Sequence, residues 1–393
     1  MKEPQHSSAS LVLRVGILGT AAIARRSILP ALLSLPDHYR VVGIASRSMD
    51  AASALVNEVE NAPNHGTGPS QIKPHGSYAS LLVDPSVDAV YVPLPNGLHY
   101  EWVSRALRAG KHVLCEKSLG CTLQETEDMV ALAEANDLAL VENFQFRFHH
   151  QLQVLREWTG LGGHVASGGT DSSKEGSAEV AKSKQGDGLE SVSVHEQDET
   201  SKNVIGDLRA VRCSFGFPPF PDRDNIRYQK ELGGGALLDA GAYMMKIAAL
   251  LMGDAIQVEA ASLVKDEEYG VDVHGGGCLV DPGTGVTAHI AFGFDHYYQC
   301  GVEVWGSKGR VRTNRLFTAK ANVQPVFEIE TAEGGREERV LQADDHFVNM
   351  LRHFHSVCVS HQPEKRAEEN RQNRLQARLL EDFRAMAERI EGA

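Results

Sequence analysis

Asp239 and Tyr243 lie four residues apart in the run Leu232-Gly233-Gly234-Gly235-Ala236-Leu237-Leu238-Asp239-Ala240-Gly241-Ala242-Tyr243. On a helix that spacing sets a carboxylate and a phenol on one face, one turn apart. Elsewhere the run His112–Cys115 ends in Glu116-Lys117. An ammonium at the end of a buried strand can stabilise a developing oxyanion or hand it a proton. Beside a phenol it would lower the phenol's pKa and make it the better general acid. Glu116 could orient or balance that ammonium, and Asp239 could orient Lys117 or hold a substrate hydroxyl. Plainer readings exist for each: Tyr243 as a helix packing residue, Lys117 as a surface lysine. The glycines have two meanings, since a glycine turn at a helix start can cradle a phosphate or simply let the helix pack closely.

These side chains need elements to bring them together. Leu11 to Leu18 is nearly continuously apolar, as expected of a parallel strand buried on both faces. Gly19-Thr20-Ala21-Ala22-Ile23-Ala24 and an amphipathic stretch to about Ser34 follow. Gly-x-Ala-x-x-Ala is a relaxed dinucleotide fingerprint, in which glycine permits the tight turn and small residues let a pyrophosphate near the helix start. The phosphate site is therefore assigned to Gly19, Thr20, Ala21 and Ile23, which leaves Gly233 to Gly235 as a close-packing entry to a helix. After the second strand, Arg40 to Ala45, an NAD site would carry an acid for the ribose hydroxyls; this chain has Ser46-Arg47-Ser48. An arginine flanked by hydroxyls binds a 2′-phosphate through charge-assisted hydrogen bonds, which favours NADP(H) over NAD(H). The alternative is a solvated loop arginine.

Helix over Ala51 to Glu60, loop over Asn61 to Gln71, short helix over Tyr78 to Val83 and strand over Val87 to Val92 continue the alternation. The strand His112–Cys115, a helix over Thr122 to Asn136 and a strand over Leu138 to Val141 complete it. The pattern predicts a Rossmann domain, a doubly wound parallel sheet over 11–143, after a flexible N-terminus, 1–10. Strand-end loops line the crevice of such sheets, which nominates Pro93, Leu94, Asn96, His99, Glu116 and Lys117 for the cofactor. His99, His149 and His296 read as structural rather than catalytic, and no His, Cys or Asp grouping has metal spacing.

His164 to Lys202 is rich in Ser, Gly, Glu, Asp and Lys without one aromatic, and is read as a disordered insertion dispensable for chemistry. Strand-like runs recur at Arg209 to Phe217, Ile256 to Leu263, Gly276 to Val280, Val286 to Phe294, Gln299 to Val304, Arg310 to Thr313 and Val326 to Glu330. Short glycine-rich turns between them predict a mostly antiparallel sheet. Helices over Asp345 to Val359 and Glu368 to Ile390 close an α+β domain, 144–393. At 393 residues the chain exceeds one ordinary core, and its net charge of −13 argues against nucleic acid or an anionic membrane as partner. No apolar run reaches the roughly 20 residues of a membrane span. The six scattered cysteines suggest reduced thiols, and with a polar start at Met1 to Ser10 a cytoplasmic protein is expected.

In order along the chain, several of these pieces resemble the Gfo/Idh/MocA family of NAD(P)-dependent oxidoreductases. They are Gly19-x-x-x-Ile23-Ala24, Val92-Pro93-Leu94-Pro95-Asn96 with His99, Gly110 to Lys117, Glu142 to His149, Gly206-Asp207-Leu208 and Gly233 to Tyr243. Within the family the chain looks most like the sugar-nucleotide 3-ketoreductases of deoxysugar biosynthesis, on Asp224 to Gln229, Gly233 to Tyr243, Asn314 to Thr318 and Gln324-Pro325-Val326. It departs from the family motif in having Ser118 for proline after Glu-Lys, and Ala21 for the middle glycine. The resemblance implies Lys117, Tyr243 and Asp239 as catalytic residues, and a sugar or sugar-nucleotide substrate. It also implies a homodimer or higher homo-oligomer formed through the open sheet face. Arg147 and Arg227 join Asp239 and Tyr243 as substrate-binding candidates, Arg227 as a diphosphate partner. Reduction of a 3-keto sugar by NADPH is the reading these residues favour. Oxidation of an aldose of the D-xylose type or of a trans-dihydrodiol is the alternative, and a non-catalytic NADP sensor a more distant one.

Overall fold

The computed structural model describes residues 11–61, 72–161 and 203–391. The expected flexible N-terminus, the insertion 164–202 and all but Asn61 of the expected loop 61–71 lie outside the described residues. In β1 (Leu13–Leu18) every residue but Arg14 is buried, as its apolar run predicted. It lies between β2 (Tyr39–Ala45) and β4 (Ala89–Val92), parallel to both. With β3 (Lys73–His75), β5 (His112–Glu116) and β6 (Leu140–Asn143) the sheet runs β3-β2-β1-β4-β5-β6, all parallel. The order reverses between β1 and β4, so the ligand crevice opens at their carboxyl ends.

The helices of this half begin on short polar caps. The Ser48 hydroxyl accepts from Ala51 N (3.3 Å) to start α2 (Met49–Glu60), whose buried face is Ala52, Leu55, Val56 and Val59. After β1 the chain makes a π-helical turn, Ala24–Ile28, that runs into α1 (Leu29–Leu33). Further helices are α3 (Tyr78–Leu82), α4 (Asn96–Arg108) and α5 (Leu123–Ala135). Beyond β6 come α6 (His150–Trp158) and, past the described gap, β7 (Leu208–Gly216) and α7 (Ala242–Met252).

The second sheet contains β7, β8 (Gln257–Lys265), β9 (Asp272–Val280), β10 (Thr287–Gly293), β11 (Gln299–Gly306), β12 (Gly309–Thr313), β13 (Val326–Thr331) and β14 (Arg336–Val340). Its order is β14-β13-β12-β11-β7-β10-β9-β8, antiparallel except for the parallel pair β7·β10. β9 begins at Asp272, four residues ahead of the predicted strand, because Gly275 to Gly277 remain paired in the ladder. The polar strand β14 was not predicted; it has no apolar alternation and forms by pairing with β13.

Two corrections concern apolar helices. Lys230 to Met252 is long and apolar enough to cross a membrane by composition, contrary to the reading that no run is; here it is mostly buried in the protein. The hydropathy belongs to a core helix. The terminal helices α8 (His346–Val359) and α9 (Pro363–Glu391) were grouped with the second sheet. Yet Met350, Leu351, Phe354, Val357 and Cys358 of α8 share a core with Leu13, Ile28, Leu32 and Tyr91 of the first. Leu379, Leu380 and Phe383 of α9 pack with the second sheet, while Asn373 Nδ2 donates to Leu140 O of β6 (3.0 Å). The last helices therefore tie the two sheets together. Phe354→Ala should cost about 3–5 kcal/mol in urea unfolding; an unchanged midpoint would mean that α8 contributes nothing to the first core.

Candidate active site

Lys117 follows β5 directly, at the carboxyl end of the first sheet, and reaches across to the helix entry of the second half. Its Nζ donates to Asp239 O (2.9 Å) and to Asp239 Oδ1 (2.7 Å). Arg227 Nε meets the other oxygen, Asp239 Oδ2, at 2.5 Å. Asp239 sits in a π-helical turn, Leu237–Gly241, that leads into α7, and Tyr243 follows one turn later. The Lys117 ammonium stands 5.0 Å from the centroid of the Tyr243 ring. Four sequence candidates from two halves of the chain thus share one space.

The ionisation states follow from burial and partners. Burial raises the Asp239 carboxyl, but Lys117 and Arg227 overcome it and hold the group far below the usual carboxylate range. Burial lowers Lys117, yet the Asp239 charge more than reverses this, so the ammonium is kept. Tyr243 corrects an expectation: burial raises its pKa and the Lys117 charge offsets only part of that, so it rests as a neutral phenol. Phe144, Phe146, Phe215 and Phe317 surround its ring, with centroids 5.0–5.8 Å away.

Glu116 is not the direct partner of Lys117, although the ammonium charge helps lower its carboxyl against burial. Its Oε1 accepts from Tyr91 OH and Asn143 Nδ2, each at 2.6 Å, which leaves Asp239 as the ammonium's partner. His99 is fully buried, with ring nitrogens 2.8 Å from Leu94 O and Ser118 O. It braces two loops and offers no surface for direct cofactor contact. Arg147 is also displaced from the substrate side: its guanidinium pairs bidentately with the buried Glu369 of α9 (2.8 and 3.1 Å). Asn96 donates to Gly233 O (3.0 Å) and so holds the glycine run against the start of α4. A Cβ at Gly233 (φ +71°) would lie 2.8 Å from Asn96 Cβ and 2.7 Å from Cys121 Sγ. Close packing, not phosphate binding, explains that glycine.

Two contacts escaped the sequence reading. Ser118, in the position of the family proline, donates from Oγ to Leu238 O (2.9 Å) across the junction, and the Lys117–Ser118 peptide is cis. Asp272 Oδ2 accepts from Leu237 N (2.5 Å) at the start of the π-helical turn. Neither partner is close in sequence, so no local pattern signals them.

The cofactor candidates line the switch point. Gly19 (φ +119°) closes the turn after β1, and a Cβ there would meet Leu94 Cδ2 at 3.1 Å. Pro93 and Leu94 extend β4 beside it, with Thr20, Ala21 and Ile23 partly exposed at the turn. Ser46 is nearly buried and its Oγ accepts from Ser48 N (3.3 Å), whereas Arg47 is exposed and has no ion pair among the described residues. A free guanidinium where an acid would stand fits an added phosphate. A strand-turn-helix crevice with an ammonium, a carboxylate and a phenol converging on it defines a dinucleotide-dependent oxidoreductase.

Residues 13–144 match the model of the oxidoreductase family with an NAD-binding Rossmann fold, Gfo/Idh/MocA, and residues 199–312 match the C-terminal domain of that family. The chain belongs to the Gfo/Idh/MocA family. It is 36% identical over 340 residues to a dTDP-3,4-didehydro-2,6-dideoxy-alpha-D-glucose 3-reductase of Streptomyces violaceoruber, covering 86% of this chain and 83% of the relative. A D-xylose 1-dehydrogenase (NADP(+)) of Haloferax volcanii is 32% identical over 82% of this chain and 81% of its own. Among solved structures, the 3-ketoreductase KijD10 of Actinomadura kijaniata, in complex with NADP and TDP-benzene, superposes with a TM-score of 0.76 at 35% identity. The match covers 95% of this chain and 98% of that one. KijD10 has also been solved with a lysine replaced by alanine and with a tyrosine replaced by phenylalanine.

The clamp around Asp239 generates a pH-dependent prediction. Its depressed pKa stabilises the fold above the ordinary carboxylate range, and that contribution is lost as pH falls through the folded value. Asp239→Asn should therefore lower the thermal midpoint at neutral pH, with the gap to wild type narrowing as the pH is taken below about 4. A gap independent of pH would show that the carboxylate charge is not what stabilises the junction.

Proposed function

We propose that the protein is an NADPH-dependent reductase of the keto group of a nucleotide-linked deoxysugar, acting at the sugar's C3. The observation that carries the reading is the Lys117–Asp239–Tyr243 assembly at the mouth of the cofactor crevice. The similarity to 3-ketoreductases over nearly the whole chain supports the substrate class. The D-xylose dehydrogenase is the less similar of the relatives compared, which ranks aldose oxidation second. The Lys117 ammonium and the Tyr243 phenol, brought within 5.0 Å of each other, argue against a non-catalytic sensor.

Gly19, Thr20, Ala21 and Ile23 would hold the pyrophosphate side of NADPH, Ser46 and Arg47 its 2′-phosphate, and Pro93, Leu94 and Asn96 the wall beside it. NADPH supplies the hydride when bound, becoming NADP⁺ as the carbonyl carbon is reduced. The protein's part is at the oxygen. As the C=O π bond opens, the Tyr243 hydroxyl donates its proton to the developing alkoxide, and the Lys117 ammonium stabilises the phenolate left behind. Asp239 positions that ammonium through Oδ1 and its own carbonyl. The aromatic walls around Tyr243 exclude water and strengthen each of these interactions. The product is the secondary alcohol; solvent restores the phenol's proton.

We further propose a homodimer formed through the outer face of the second sheet, where Arg212, His289, Glu303 and Arg312 are grouped, and a cytoplasmic location.

Lys117→Ala and Tyr243→Phe should each lower kcat for a dTDP-linked 3-keto sugar by roughly 10²-fold or more, with NADPH binding retained. Normal turnover in both would remove the site assignment. Arg47→Ser should raise the KM for NADPH by about tenfold and leave that for NADH near wild type; an unchanged preference would mean that Arg47 does not read the 2′-phosphate.

A further inference from the structure

A nucleoside diphosphate sugar brings at least two negative charges to the substrate side, and the obvious cation there is already engaged. Arg227 holds Asp239 through Nε (2.5 Å) and approaches it again through its terminal nitrogen (3.5 Å). Its planar fork is therefore occupied by a carboxylate. The site must find its diphosphate partner elsewhere.

Arg315 is exposed and has no ion pair among the described residues, although the chain carries a net charge of −13. Its guanidinium lies over the Tyr298 ring, 5.6 Å from the centroid. The Tyr298 hydroxyl in turn bonds to Thr318 Oγ1 at 2.9 Å. The backbone beneath is fixed: the fully buried Gln151 amide donates to Arg315 O (3.3 Å) and Leu316 O (3.0 Å). Two residues on, Phe317 packs against Tyr243, with ring centroids 5.5 Å apart. An uncompensated arginine thus stands on a rigid segment that runs directly to the proposed proton donor. A planar, pre-oriented guanidinium suits bidentate contact with phosphate oxygens.

We propose that Arg315, backed by Tyr298, binds the diphosphate of the nucleotide-linked substrate and so selects it over free sugars. The inference rests on the nucleotide-sugar reading of the site and assigns it a residue. Tyr298 positions the guanidinium and limits the rotamer freedom that binding would otherwise have to remove.

Isothermal titration with dTDP as the probe, in the presence of NADPH, tests it. Arg315→Ala should weaken dTDP binding by about ten- to a hundredfold, Arg315→Lys by less, and Tyr298→Leu by a smaller factor through lost orientation. The NADPH dissociation constant and the thermal midpoint should stay at wild-type values, since Arg315 is exposed and carries no internal ion pair. Arg315→Ala binding dTDP within about twofold of wild type would overturn this assignment alone. Wild-type protein that fails to bind dTDP would overturn the nucleotide-sugar reading, and the role of Arg315 with it. A parallel loss of NADPH affinity in Arg315→Ala would also overturn it, by showing general damage to the site.

Discussion

The structure turns on one carboxylate. Asp239 is gripped by Lys117 from the end of β5 and by Arg227 from the segment ahead of the glycine run. Lys117 is nearly buried and Arg227 half-buried, and two cations this close would repel each other while losing part of their hydration. One carboxylate shared between them makes the ammonium tolerable in the interior and keeps the guanidinium beside it. The same contact fastens the helix that carries Tyr243 to the strand that carries Lys117. Electrostatic compensation and catalytic geometry therefore rest on the same atoms.

A second layer of buried charge supports the first. Glu142, at the end of β6, accepts from Leu119 N (2.9 Å) in the Lys117 loop and lies 3.6 Å from Lys246 Nζ on α7. It thus touches the two segments that bear the proposed acid pair. Burial brings Lys246 down to about 8, against the pull of Glu142. Behind it Arg147 and Glu369 pair beneath α9, where burial works to raise the Glu369 carboxyl but Arg147 keeps it deeply ionised. Isolated, any of these groups would be costly; connected, they hold the helices to the sheet from below. Removal of one member would leave the others buried without compensation.

The polar set is enclosed by aromatics rather than open to water. Phe144 and Phe146 come from the turn after β6, Phe215 from β7 and Phe317 from the segment after β12, and all four meet Tyr243. Such walls keep the resting phenol protonated and keep the local dielectric low, so the Lys117 charge acts on it strongly once an oxyanion develops. The glycine run serves the same end. Without a Cβ at Gly233 the first domain's α4 approaches closely enough for Asn96 to bond its carbonyl.

What the sequence determined by itself is what local spacing and hydrophobic period encode. Buried runs such as Leu13–Leu18, the glycine turn at Gly19, the strand-end position of Lys117 and the four-residue interval from Asp239 to Tyr243 are all properties of a few adjacent residues, and they led to the doubly wound parallel sheet and to candidates for the site. Only the tertiary structure decided the partners. Arg147 and Arg227 look alike in sequence, yet Arg147 pairs with Glu369 of α9, 222 residues away, whereas Arg227 meets Asp239 of the turn 12 residues on. His99 and Glu116 were drawn inward by carbonyls, a phenol and an amide that lie 5 to 27 residues away in sequence. The Tyr243 pKa went the opposite way from its pairwise expectation, since burial is a sum over the whole enclosure and one neighbouring charge is not. Spacing along a chain specifies which groups can share a face; which charge each one meets is set when the faces close.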